Sequence, residues 1–172
     1  MTENEKRLIQ SCRVMIVGTE KFVSEVRREL LGLGFRGMFI DSASVSFPEK
    51  AEADMIIRFV GSGENESGRY MDVPSIYAFD FINGAGVFVL FPKDDKEFLC
   101  SPDVRLWSAE YMVRYCMFWN IDGVDWLWES LPLIRKYRTN DQALKTAAYV
   151  SSRIVANIAV GRDLKHYPRF YL

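Results

Sequence analysis

Apolar residues along this chain alternate between short compact runs and stretches where they recur every third or fourth position. Arg13–Val17 (RVMIV) is a compact run ending at Gly18, the form of a buried parallel strand. Behind it Phe22, Val23, Val26, Leu30 and Leu33 recur at helical spacing while Glu25, Arg27, Arg28 and Glu29 face away, and Gly32 and Gly34 close that helix. Further compact runs predict strands at Met38–Asp41, Asp54–Val60, Ser75–Asp80 and Gly86–Phe91. The last two are joined through Asn83-Gly84 so tightly that they read as an antiparallel hairpin.

The ends of the chain have a different character. Glu3–Ser11 reads as a short leading helix. Asp103–Trp119 is a helix with an aromatic stripe at Trp107, Tyr111, Tyr115 and Phe118/Trp119. Asp141–Val160 is a long helix rich in small residues, able to lie close against a sheet. Between these two, Asp122–Arg138 is aromatic and then basic, with Pro132 expected to break any single long helix. Tyr167–Leu172 is a candidate last edge strand. Strands alternating with helices and then a hairpin predict a three-layer Rossmann-like α/β fold with a mixed, mostly parallel sheet, in one domain over residues 1–172.

Composition narrows the function classes. Lys and Arg number 22 against 23 Asp and Glu, a net charge of -1, so no dominant basic field points to nucleic acid or to a membrane. Arg135–Leu172 carries +6 of its own, a surface that could suit an acidic partner. Met1–Gln10 has no apolar signal region and no run approaches the ~20 residues of a membrane span, so the expectation is a soluble cytoplasmic protein. Cys12, Cys100 and Cys116 are widely spaced and odd in number, which gives neither a zinc knuckle nor a redox pair and leaves three free thiols. His166 is the only histidine and no G-x-S-x-G elbow accompanies it, so it reads as a surface residue. The acidic pairs Asp94-Asp95 and Asp122/Asp125 read as turn and cap residues, and the Gly61–Gly68 run (GSGENESG), with two glutamates and no G-K-[ST], as a surface loop.

The stretches VMIVGTEKFVSEV, MFID, ADMIIRFVGS and VPSIYAFDFINGAGVFVLFP follow one another with the spacing of a known pattern. It consists of a strand, G-x-G-G-L-G-S-x-V, a helix, a strand ending in Asp, A-D-[LVI]-[VI]-[VI]-D-x-T-D-N, and a glycine-turned hairpin. Through about residue 92 the chain thus resembles the ThiF/MoeB/HesA family, the ubiquitin-activating-enzyme-like adenylyltransferases. The resemblance implies ATP with magnesium at the glycine turn, dimers, and engagement of small-protein tails.

The departures from that pattern fall on its chemistry. Gly18 and Ser24 keep their places, but Glu20, Lys21 and Val23 stand where glycines would admit a phosphate. The third-strand carboxylate of the magnesium site is replaced by Arg58, which inverts the charge where a hard cation needs oxygen ligands. Asp41, 23 residues after Gly18, occupies the position from which a strand-end carboxylate holds ribose hydroxyls. Two expectations follow. The first is a non-catalytic ThiF-like binding or scaffold protein without cofactor, homodimeric through the apolar helix around MVRYCMFW or engaging a protein partner with an acidic or extended tail. The alternative is an adenylyltransferase-type enzyme that binds ATP with magnesium by an altered route, using Gly18, Lys21, Asp41 and Arg58.

Overall fold

The computed structural model describes residues 1–41, 53–61, 72–95 and 97–172. Six strands form one sheet in the order β2-β1-β3-β4-β5-β6: β1 (Arg13–Val17), β2 (Gly37–Asp41), β3 (Met55–Val60), β4 (Ser75–Asp80), β5 (Ala85–Leu90) and β6 (Phe170–Tyr171). The first four run parallel, and β5 and β6 are antiparallel to their neighbours. The fold is therefore the α/β arrangement that the alternation of runs and helical stretches predicts, and the tail does supply an edge strand.

Two helical layers cover the sheet. On one face α1 (Glu3–Ser11), α2 (Glu20–Leu33) and α5 (Asp141–Ala159) pack over Val14, Ile16, Ile57, Phe59, Ala78 and Val87. On the other, α3 (Val104–Phe118) and α4 (Asp125–Lys136) cover Val60, Tyr77, Phe79, Phe88 and Leu90. Every residue of β3, β4 and β5 is buried, and two-sided cover explains why these strands read as unbroken apolar runs instead of alternating ones.

Local chemistry sets the helix ends. Thr2 and Glu5 form a reciprocal capping box at α1, Thr19 accepts from Phe22 N at the start of α2, and Asp103 accepts from Leu106 N at α3. Gly32 is a helical residue, and α2 closes two residues later at Gly34. Pro132 does not interrupt α4 but sits inside it, contrary to the expected break. The hydrogen bond it removes would have reached the carbonyl of Trp128, on an exposed stretch where water can replace it. Among the described residues no helix is long and apolar enough to cross a membrane.

Candidate functional site

Of the four residues proposed from sequence for a nucleotide, Gly18, Asp41 and Arg58 stand at one end of the sheet and Lys21 is engaged on the α2 face. Gly18 follows β1 with φ +155°, and a Cβ there would stand 2.8 Å from Phe59 Cβ. Glycine is needed at this point because β3 passes too close for a side chain. The helix start beside it is already capped by the Thr19 hydroxyl, and Glu20 adds negative charge to the first turn. Lys21 lies on the α2 face of the sheet and pairs with Asp141 at the start of α5, both half exposed. That hydrogen bond and the lysine charge hold the Asp141 carboxyl below the usual carboxylate range.

Arg58 is buried, 5% exposed, and alternates with Ile57 and Phe59, so it belongs to the opposite face from Lys21. Asp41 and Arg58 do flank Val17 in register on either side, about 10 Å apart across β1. The side chain of Asp41 lies outside the described residues, as does the loop 62–68. The structure thus brings three of the four positions, Gly18, Asp41 and Arg58, to one end of the sheet and places Lys21 on the α2 face.

A buried polar network stands at the end of β4. Asp80 and Arg105 are 0% and 1% exposed. The Asp80 carboxylate accepts from Ile82 N at 2.7 Å, Thr139 Oγ1 at 2.8 Å and Asn140 N at 2.5 Å. Arg105 Nε donates to the Asp80 carbonyl at 2.5 Å and Nη1 to the Tyr137 carbonyl at 3.1 Å, while Nη2 stands 3.8 Å from Asp80 Oδ1. Burial pushes the Arg105 guanidinium below its usual range against the opposing pull of Asp80 and Asp103. The network joins the β4–β5 turn, α3 and the connection from α4 to α5, so its role is to lock three layers together. A strand-end Asp and a helix Arg 25 positions apart carry no local signal of this pairing.

His166 is half exposed, and its Nδ1 lies 2.9 and 3.0 Å from the two oxygens of Asp94. Asp94 also accepts from Phe91 N, and Asp95 accepts from Glu97 N, so both acids act as turn residues. Sequence reading missed the His166–Asp94 pair because the partners are 72 positions apart. Among the described residues no group of three or more His, Cys, Asp or Glu is placed to hold a metal ion.

The most distinctive surface lies where α3 ends and α4 begins. The upper stripe of α3 is absorbed: Tyr111 and Tyr115 pack on Phe170, and Tyr111 also on Phe88 and Tyr167. Past Cys116 the helix runs out of sheet to cover. Phe118 is 77% exposed, Met117 64%, Trp119 61%, Trp128 58% and Ile121 43%. At about 200 Å² for a large side chain, these five leave on the order of 600 Å² in water, at the upper edge for the largest apolar patch of a typical monomer.

Two open grooves adjoin this patch and share Cys116, Ile121 and Val124. One, of about 450 Å³, also has Met117, Asp122, Asp125 and Trp128. The other, of about 460 Å³, is bounded by Tyr115, Lys165, Arg169 and the β6 edge. The MVRYCMFW pattern was the sequence signal for this surface. The grooves depend on residues 165–172 returning beside α3, which no local pattern could show.

The fold and this surface define a Rossmann-like α/β protein with an uncovered aromatic face. No model of a known protein family matches the chain, and no curated protein matches it in sequence.

Proposed function

We propose that this is a non-catalytic binding or scaffold protein, ThiF-like in shape, that presents the α3–α4 face to a protein. The observation that carries the reading is the exposure of Met117, Phe118, Trp119, Ile121 and Trp128 around the end of α3 and the start of α4. A patch of this size rimmed by charged residues is the usual form of a protein-docking site, since aromatic and Met side chains dominate interface cores. The non-catalytic half of the reading rests on the helix start after β1. Thr19 caps it, Glu20 opposes an anion there, and Lys21 is engaged with Asp141.

Photo-crosslinking in living cells tests this directly. A crosslinking amino acid is placed at Trp119 or Trp128, and, as a control, at exposed Tyr149 on α5. Adducts with protein are expected from the first two positions and not from the third. Trp119 and Trp128 probes that capture no protein would overturn the reading.

A further inference from the structure

The groove between the end of α3 and the start of α4 limits what can occupy the docking face. Buried Val113 and Cys116 line it together with Met117, Ile121 and Trp128, which are 64%, 43% and 58% exposed. Its volume of about 450 Å³ would admit a small ligand, but small-ligand sites enclose most of their ligand and this groove is open. An occupant with a surface of its own is needed to cover it. Every described residue that lines it belongs to α3, α4 or the turn between them, so no strand edge is offered for backbone pairing. An apolar trench between two helices takes a helix, whose apolar side chains repeat every three or four residues.

Charge selects the kind of helix. From Tyr115 to Ile134 the chain has three carboxylates, Asp122, Asp125 and Glu129, and no lysine or arginine. Asp122 and Asp125 line the groove, and Glu129 continues the acidic edge one turn further along α4. All three are exposed, and none forms an ion pair with another described residue. The nearest cations on α3 and α4, Arg114 and Arg135, are both paired with Glu110. Lys165 and Arg169 line the second groove and not this one. The first groove is thus a strip of Met, Ile and Trp with an uncompensated acidic edge. Nucleic acid, anionic lipid and acidic protein segments are all repelled by that edge.

We infer that the occupant is a cationic amphipathic helix of another protein, with its apolar face on Met117, Ile121 and Trp128 and its Lys or Arg side chains against Asp122, Asp125 and Glu129. The inference rests on the docking reading above and names the chemistry of its partner. Met117 supplies an adaptable contact, and Trp128 a large anchor of the kind that dominates interface energies. The carboxylates on one edge set the orientation of the helix and speed its arrival.

Fluorescence anisotropy with the purified chain and a labelled peptide of about 16 residues supplies the test. The peptide is built from Leu, Lys and Ala, with Leu at helical spacing and enough length to form a helix on binding. It is expected to bind with a dissociation constant of about 10 µM or tighter at low salt, and more weakly as salt is raised. Asp122→Asn with Asp125→Asn, and separately Met117→Ala with Trp128→Ala, should each weaken binding by about tenfold or more. The same composition scrambled out of helical period, and the same helix with Glu in place of Lys, should bind at least about tenfold more weakly. Unchanged circular dichroism in each variant excludes misfolding as the cause.

A cationic helix that binds no better than its scrambled or glutamate counterpart overturns the inference. So does binding that survives the loss of Met117 and Trp128, since charge alone would then hold the peptide. Crosslinking at Trp128 in cells separates this failure from failure of the docking reading. Protein adducts there, without preference for the cationic helix in vitro, leave the docking face standing and remove such a helix as its occupant. Adducts only at twice the mass of the chain do the same, and absence of protein adducts removes both.

Discussion

Replacing Asp80 by alanine removes the acceptor for three donors at once. Ile82 N, Asn140 N and Thr139 Oγ1 lose their partner, and the Arg105 guanidinium, 1% exposed, loses its counter-charge. Breaking a buried ion pair from one side costs about 3–5 kcal/mol, because the remaining charge stays desolvated and uncompensated. At this chain length each kcal/mol moves the unfolding midpoint by roughly 2–4 °C, so Asp80→Ala should melt about 10 °C or more below the wild type. Arg105→Met should cost less. It fills most of the same space, and the Asp80 carboxylate keeps its three donors. The two single variants and the double variant, melted by circular dichroism under identical conditions, give the coupling between the pair. In a network of this kind it should be about 1–3 kcal/mol. The reasoning is refuted if Asp80→Ala loses less than about 1 kcal/mol, or if Arg105→Met is the more damaging change. Either result would mean that water reaches the end of β4 and that the three layers are held together elsewhere.

Three further outcomes are expected. Burial raises the Cys12 thiol to about 11 and also raises Cys116, whereas Cys100 is exposed; iodoacetamide at about pH 8 should therefore label Cys100 alone in the native protein and all three thiols after denaturation, as read by peptide mass spectrometry. Glu5, Asp54 and Asp141 are all held below the usual carboxylate range: Glu5 first by the Thr2 backbone, Asp141 by Lys21, and Asp54 by Arg13 hydrogen bonds that outweigh the opposing effect of burial. A depressed folded-state pKa stabilises above the unfolded value, so the melting temperature should hold near neutrality and fall as pH drops below about 4, and Asp54→Asn should flatten that fall. Millimolar ATP with magnesium should leave the melting temperature unchanged, whereas a ligand at ~100 times its dissociation constant would add about 2.7 kcal/mol and several degrees, reinstating the nucleotide alternative.

What the sequence made legible follows from the range of the interactions involved. The strands β1, β3, β4 and β5 could be read because two-sided burial demands runs of apolar residues, and α2 and α5 because their apolar faces repeat every turn. The failure at Pro132 is one of weight: the helix continues through the proline because α4 packs Leu127, Ser130 and Ile134 into the core, and tertiary burial outweighs the local break. Gly18 shows how one local observation can have two causes. A glycine after the first strand fits a phosphate turn, and here the requirement comes from Phe59 Cβ on the adjacent strand. The same limit applies to the docking face. Its apolar centre is written in the consecutive residues 117–119, but its second groove exists only because β6 pairs with β5 and brings Lys165 and Arg169 alongside Tyr115 and Ile121. A helix with no polar face is ambiguous between core and interface until the sheet it covers has been counted, and α3 extends past the last strand that could cover it. That surplus of exposed residues at the end of α3 is what the docking reading assigns to a protein partner.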